Sequence, residues 1–190
     1  MIKVKYEEKQ QVVDILTKAF DTNKSVNHAV KQDKHRVRRI RKLMDYSFEK
    51  CWDSGEIYMT QDKKGVALFL LPHKSKTSIK SIWLDVTLIV YSIGVSRVFK
   101  ILKKESIIKK HHPEELMYLW YIGIEPENQG KGIGSSMLKG SIELAKQRGL
   151  PIYLETSTEK NIPLYKRFNF QEYKTIDLDY RIYLFKYDVR

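Results

Sequence analysis

The chain has a single cysteine, Cys51, in 190 residues, so it cannot form an internal disulfide, and its composition suits a reducing compartment. Cys51 ends an amphipathic stretch with no histidine or asparagine pattern beside it, which argues for buried filler rather than a nucleophile. No apolar run is long enough to cross a bilayer: the longest, Ile82 to Val95, is interrupted by Asp85 and reads as an amphipathic helix packed on the domain. The first ten residues, MIKVKYEEKQ, lack the apolar core of a secretory signal, and the expected compartment is the cytoplasm. Repeats, low-complexity tracts and linkers are missing too, leaving residues 1–190 as one expected domain. Acidic residues are outnumbered, 23 against 35 Lys and Arg, for a formal net charge of +12. That balance attracts nucleic acid, anionic lipid and phosphorylated cofactors alike and does not choose among them. The densest basic run, Lys34 to Lys42, carries Val37, Ile40 and Met44 at helical spacing, so its bases read as a solvated helix face.

Apolar residues make up 42% of the chain, enough for a core, and their periodicity sets out an order of elements. Helices are expected over residues 7–20 and 32–52, with DTNKSVN between them as a loop or cap. Residues 56–59 and 66–71 are β-rich runs around the turn-like TQDKKG, a hairpin that Pro72 ends. Two helical patterns follow between Ser75 and Lys110, separated near Ser92-Ile93-Gly94; residues 71–112 therefore read as a helical insertion. After the loop KKHHPEE come a strand over 116–124, a helix over 132–148 closed by Gly149, a strand over 151–156, a short helix over 162–168 and two closing strands. The fold class is α/β or α+β, a sheet with covering helices.

Glycine is scarce, nine residues, yet Gly130, Gly132 and Gly134 fall in the one stretch EPENQGKGIGSSML between a strand and a helix. Such a loop aims unpaired backbone N–H groups and the positive end of a helix dipole at one point, and anions bind there. Lys131 adds a cation. The Walker pattern fails because Lys131 is followed by Gly132, not Ser or Thr. The dinucleotide fingerprint fails because Ser135 stands where its third glycine belongs.

Gln129-Gly130-Lys131-Gly132-Ile133-Gly134 resembles the Q/R-x-x-G-x-G/A signature of the GNAT superfamily of acyl-CoA-dependent N-acyltransferases. A second stretch, the strand Pro151 to Thr156 followed by Asn161, Tyr165 and RFNF, is similar to that family's N-x-x-x-Y-x-x-x-G-F, with Asn169 in the usual glycine position. The resemblance covers roughly 116–170 and implies a mixed, centrally splayed sheet flanked by helices on both faces. It implies acetyl-CoA as co-substrate and no metal. Gln129, Gly130, Lys131, Gly132, Gly134 and Ser135 would surround the pyrophosphate. Backbone groups of Tyr121, Ile122 and Ile124 would pair with the pantetheine arm, and Asn161 would hydrogen-bond it, although Asn161 is equally suited to cap its helix. Gly123 within that strand suggests a bulge or a close backbone approach.

The implied reaction is attack by a primary amine on the thioester through a tetrahedral intermediate. Tyr165 would donate a proton to the departing thiolate, and Glu155 would serve as base, with His111, His112 or water as the other choices. A small-molecule or peptide amine is the expected acceptor, bound near the helical insertion, and a homodimer is compatible with the sequence. No membrane partner is expected, and nucleic acid is the weaker expectation. Two alternatives remain open: a CoA-binding module without catalysis, and a basic protein whose Arg36–Lys42 face holds nucleic acid.

Overall fold

The computed structural model describes residues 1–74, 79–93 and 95–189. Residues 75–78 and Gly94, where the sequence places the start of the insertion and the break between its helices, lie outside them. The described residues form a seven-stranded sheet in the order β1-β2-β3-β4-β5-β7-β6. The strands are β1 Ile2–Lys3, β2 Gly55–Met59, β3 Gly65–Leu70, β4 Met117–Ile124, β5 Ile152–Thr156, β6 Gln171–Asp177 and β7 Arg181–Tyr187. All neighbours are antiparallel except β4 and β5.

Among the described residues are seven α-helices: α1 Lys9–Ala19, α2 Lys24–Ala29, α3 Arg36–Ser54, α4 Ile79–Leu88, α5 Val95–Lys109, α6 Ile133–Arg148 and α7 Ile162–Arg167. A π-helical turn, Ile89–Ile93, follows α4. α1 and α3 form one layer, where Leu16, Ile40, Met44 and Phe48 bury themselves against Met59, Val66 and Leu68. α6 and α7 form the other, where Met137, Leu138, Ala145 and Tyr165 meet Phe69, Met117, Leu154 and Phe185. α5 lies on the far strands, Ile108 packing with Ile176, Ile182 and Leu184. The order of elements follows the hydrophobic periodicity closely, because each helix must bury one stripe and each strand one face.

In two places the structure decides between alternatives that the sequence leaves open. The stretch DTNKSVN is not a plain loop: Asn23 caps α2, its side-chain oxygen accepting from the Val26 N–H at 3.0 Å. The bulge is not at Gly123. A Cβ there would stand 2.9 Å from Leu16 Cδ2 and 3.3 Å from Ala19 Cβ, so Gly123 admits α1 close to the sheet. The register instead slips where Leu68 pairs with Tyr121 and Phe69 with Leu119, which makes Trp120 the extra residue. One extra residue reverses the alternation of faces: Leu119 points into the α6 layer, whereas Trp120 and Tyr121 both turn to the α1/α3 layer.

The basic run on α3 is largely paired. Arg36 binds Asp21 at 2.6 Å, Arg39 binds Asp33 at 2.7 Å, and Arg41 pairs with Asp14. These are partly exposed pairs of small energetic weight, but they neutralise much of the positive face that a nucleic acid would need.

Candidate active site

β4 and β5 share only two paired positions, Met117 with Ile152 and Tyr118 with Tyr153. Beyond Tyr118 the strands part, while β4 stays joined to β3 and β5 to β7. The bulge at Trp120 stands two residues past the last pair, where the added twist bends β4 away. The wedge opens into a cavity of about 860 Å³ whose wall includes Tyr121, Ile122, Glu155, Asn161 and Tyr165. Phe20, Tyr46, Trp120 and Tyr180 give it an aromatic lining, and α4 and α5 close its outer side through Asp85, Leu88, Ile101 and Lys104.

At the other end of β4, Pro126–Asn128 makes a short 3₁₀ turn into the glycine loop. Gly130 and Gly132 have φ of +78° and +82°, and a Cβ on either would meet nothing within 4 Å. The backbone therefore needs glycine for its angles, and its face is open. No side chain caps the start of α6, so the first N–H groups of that helix stay available to an anion. Lys131, exposed, donates to Asn128 Oδ1 at 3.1 Å, and Gln129 turns its amide back to the Ile124 carbonyl at 3.2 Å. Gly134 serves differently from its two neighbours: a Cβ there would touch Ile124 Cδ1 at 3.4 Å and Leu164 Cδ2 at 3.8 Å, so it lets α6 pack close to β4 and α7. A cation that the sequence reading passed over sits here as well, Arg167, whose Nη2 donates to Ser135 Oγ at 3.0 Å. These residues suit a pyrophosphate: open backbone, a positive helix end, and two nearby cations.

Glu155 is the only acidic wall residue drawn from the two central strands. Tyr118 donates to its Oε2 at 2.9 Å, while Oε1 has no hydrogen-bond partner. Burial pushes its pKa up to about 7, reinforced by Glu105 and opposed by Lys104 and the Tyr118 hydroxyl. The reverse holds at Lys104: burial works against its charge, but Glu155, Tyr180 and Glu105 outweigh this and its pKa is raised. His112 Nε2 lies 3.9 Å from Glu155 Oε1. The pair is not an ion pair at neutral pH, because burial and then His111 lower the imidazole to about 4, leaving it neutral wherever Glu155 is ionised. His111 is exposed. The approach of His112, Tyr118 and Lys104 to Glu155 carries no local sequence signal; α5 and the turn after it bring Lys104 and His112 there, and β4 brings Tyr118.

Tyr165 is 5% exposed and packs on Phe170 and Phe185. Burial pushes its phenol up to about 12, with Asn161 as side-chain partner pulling the other way. Asn161 occupies the cap position of α7 but its side chain makes no cap bond; it lies in the cavity wall with Tyr165 as a side-chain partner. Asn169 takes φ of +62°, the left-handed angle that the family's glycine would supply. Cys51 is fully buried, and burial raises its thiol, as suits filler. Among the described residues no cluster of His, Cys, Asp or Glu could hold a metal ion, and no helix is long and apolar enough to cross a membrane.

A mixed sheet parted at its one parallel step, with a glycine-opened helix start at the mouth of the gap, defines the GNAT type of fold. Comparison with known proteins agrees: residues 93–170 match the family model described as Acetyltransferase (GNAT) family. A stretch of 71 residues is 35% identical to an uncharacterised N-acetyltransferase of Schizosaccharomyces pombe, covering 37% of this chain and 29% of that protein. The match thus spans under a third of that relative's length. Solved structures with the same fold include an acetyltransferase of Corynebacterium glutamicum described as histone acetyltransferase HPA2 and related acetyltransferase (TM-score 0.71, 19% identity, covering 100% of this chain and 95% of that one). Another is arylalkylamine N-acetyltransferase 2 from Aedes aegypti (TM-score 0.66, 16% identity, 100% and 98%). A third is the C-terminal condensation domain of Ebony in complex with beta-alanyl-dopamine (TM-score 0.72, 10% identity, 99% and 97%). At these identities the likeness is one of fold.

Proposed function

We propose that this chain is an N-acetyltransferase that moves the acetyl group of acetyl-CoA to a primary amine by direct attack. The observation that carries the reading is Glu155, a carboxylate with a pKa of about 7 in the wall of the wedge between β4 and β5. A base works best when its pKa lies near the operating pH. Acetyl-CoA would supply an activated thioester carbonyl. For its phosphates the chain offers the backbone of Gly130 and Gly132, the start of α6, Lys131 and Arg167; for its arm, the unpaired edge of β4 over Tyr121, Ile122 and Ile124, with Asn161 beside it.

Glu155 takes the proton that the acceptor ammonium must lose before its nitrogen can attack, and Tyr118 holds the carboxylate in position through Oε2. Backbone N–H groups where β4 parts from β5 steady developing negative charge on the carbonyl oxygen. Tyr165 stays protonated, with its pKa near 12, and gives its proton to the departing thiolate, whose ordinary pKa is about 8.5. The aromatic wall of Phe20, Tyr46, Trp120 and Tyr180 favours an acceptor with an apolar or aromatic body behind its amine, in keeping with the amines named for the mosquito and Ebony neighbours.

Calorimetric titration with acetyl-CoA, followed by thiol release from a panel of arylalkylamines, polyamines and peptide N-termini, tests this. Micromolar binding with turnover of at least one amine is expected. Absence of acetyl-CoA binding refutes the reading, and binding with no turnover across the panel leaves only a coenzyme-holding module.

A further inference from the structure

The helices that close the cavity also carry exposed apolar side chains. On α4 it shows Trp83, 67% exposed, with Val86 beside it at 53%; on α5 it shows Phe99 at 80% and Leu102 at 60%. On α5 the spacing is helical: Phe99, Leu102, Ser106 and Lys109 follow one another at three- and four-residue steps, with Lys103 and Lys110 beside them, all exposed, and Leu102 and Lys103 also border the cavity. The opposite face holds Ile101, Lys104 and Ile108 toward the cavity and the sheet. Among the exposed residues from Phe99 to Lys110, Phe99 and Leu102 are apolar and Lys100, Lys103, Lys109 and Lys110 are basic, with Glu105 as the one acid, which makes this side of α5 an apolar and basic ridge.

We propose that this ridge seats the protein on an anionic membrane surface, Trp83 and Phe99 entering the headgroup boundary and Lys103, Lys109 and Lys110 meeting lipid phosphates. An amphipathic helix binds an interface in this manner when apolar area and lysine charge act together. Charge selects the occupant. The chain carries +12, so a second copy approaching lysine face to lysine face is repelled, whereas an anionic leaflet is attracted. Peripheral seating requires no spanning helix and is consistent with their absence among the described residues. It places the cavity that α4 and α5 enclose beside the bilayer, open to an amphiphilic amine, and it is independent of the reaction proposed above.

Sedimentation of the full chain with phosphatidylcholine vesicles, with and without phosphatidylserine, provides the test, read together with the blue shift of tryptophan emission. Binding is expected only with phosphatidylserine present and should weaken as salt rises. Trp83→Glu with Phe99→Glu should abolish it while unfolding at the parent's temperature and retaining acetyl-CoA affinity, since neither side chain is packed or lines the cavity. Lys109→Ala with Lys110→Ala should lower vesicle affinity at least about tenfold. Equal binding to both vesicle types, binding untouched by either double variant, or a dimer of the parent chain that the Trp83/Phe99 variant dissolves would each overturn the proposal.

Discussion

Glu155→Gln separates the cost of the proposed base from its use. In the folded chain the carboxyl titrates at about 7 against 4.5 for the free group. At about 1.36 kcal/mol per pKa unit, holding Glu155 ionised in the fold costs about 3 kcal/mol relative to the unfolded chain. The sign follows from the raised value. Stability is fully present below the unfolded pKa of 4.5 and is lost as pH rises through the folded value of about 7. Glutamine keeps an oxygen to accept from the Tyr118 hydroxyl and cannot ionise. The variant and the parent should therefore differ by a constant small amount at about pH 4.5, and the variant should gain steadily above it, reaching an advantage of about 3 kcal/mol by about pH 8. For a chain of this size that is a rise of roughly 6–12 °C in melting temperature. Urea unfolding at about pH 4.5, 6 and 8, with m-values checked for equality, measures it. A difference that stays flat with pH, or a parent more stable than the variant at about pH 8, refutes the picture of a carboxylate held against its environment.

The same ionisation should appear in turnover: kcat/KM for the amine is expected to rise with pH through an apparent pKa of about 7, and persistence of that limb in Glu155→Gln would assign it elsewhere. Tyr165→Phe keeps the ring packing on Phe170 and Phe185 and should lower kcat by roughly 10²-fold with acetyl-CoA affinity unchanged; full turnover removes it as the acid. Gly132→Val must hold a φ of +82° and should weaken acetyl-CoA binding at least about tenfold while costing about 1–2 kcal/mol of stability, and unaltered affinity by calorimetry refutes the phosphate cradle. Gly123→Val, which meets Leu16 Cδ2 at 2.9 Å, should cost about 1–3 kcal/mol in urea; a neutral result would show that α1 can move aside.

Much of this arrangement is legible in the chain because it rests on local chemistry. Gly149 closes α6 in the left-handed region, with φ of +64°, and Asn169 takes the same region at +62°, each where a residue tolerant of that angle stands. Asn23 marked a cap correctly, but α2 behind it is six residues long, too short for periodicity to reveal. The bulge at Trp120 is hidden for another reason. MYLWYIGI alternates so evenly between buried and half-buried positions that nothing in it shows that Tyr121 has changed sides; only pairing with β3 does. Likewise KKHHPEE reads as a loop, and its turn does begin there, yet His112 ends beside Glu155 because α5 docks on β6 and β7. Distance in space between chain-remote groups is what single-chain patterns carry least.

The parting of β4 from β5 has a consequence for the resting molecule. A strand with a neighbour on one side only is an edge, and edges normally lie at the rim of a sheet, where lysines, prolines or bulges discourage strangers from pairing. Here the sheet carries two such edges in its interior, facing each other across a cavity, and the guard is the narrowness of the gap and the helices α4 and α5 over it. Amide protons on β4 beyond Tyr118 should then exchange faster than those on β3, and should slow when an extended ligand lies down between β4 and β5 as the missing eighth strand.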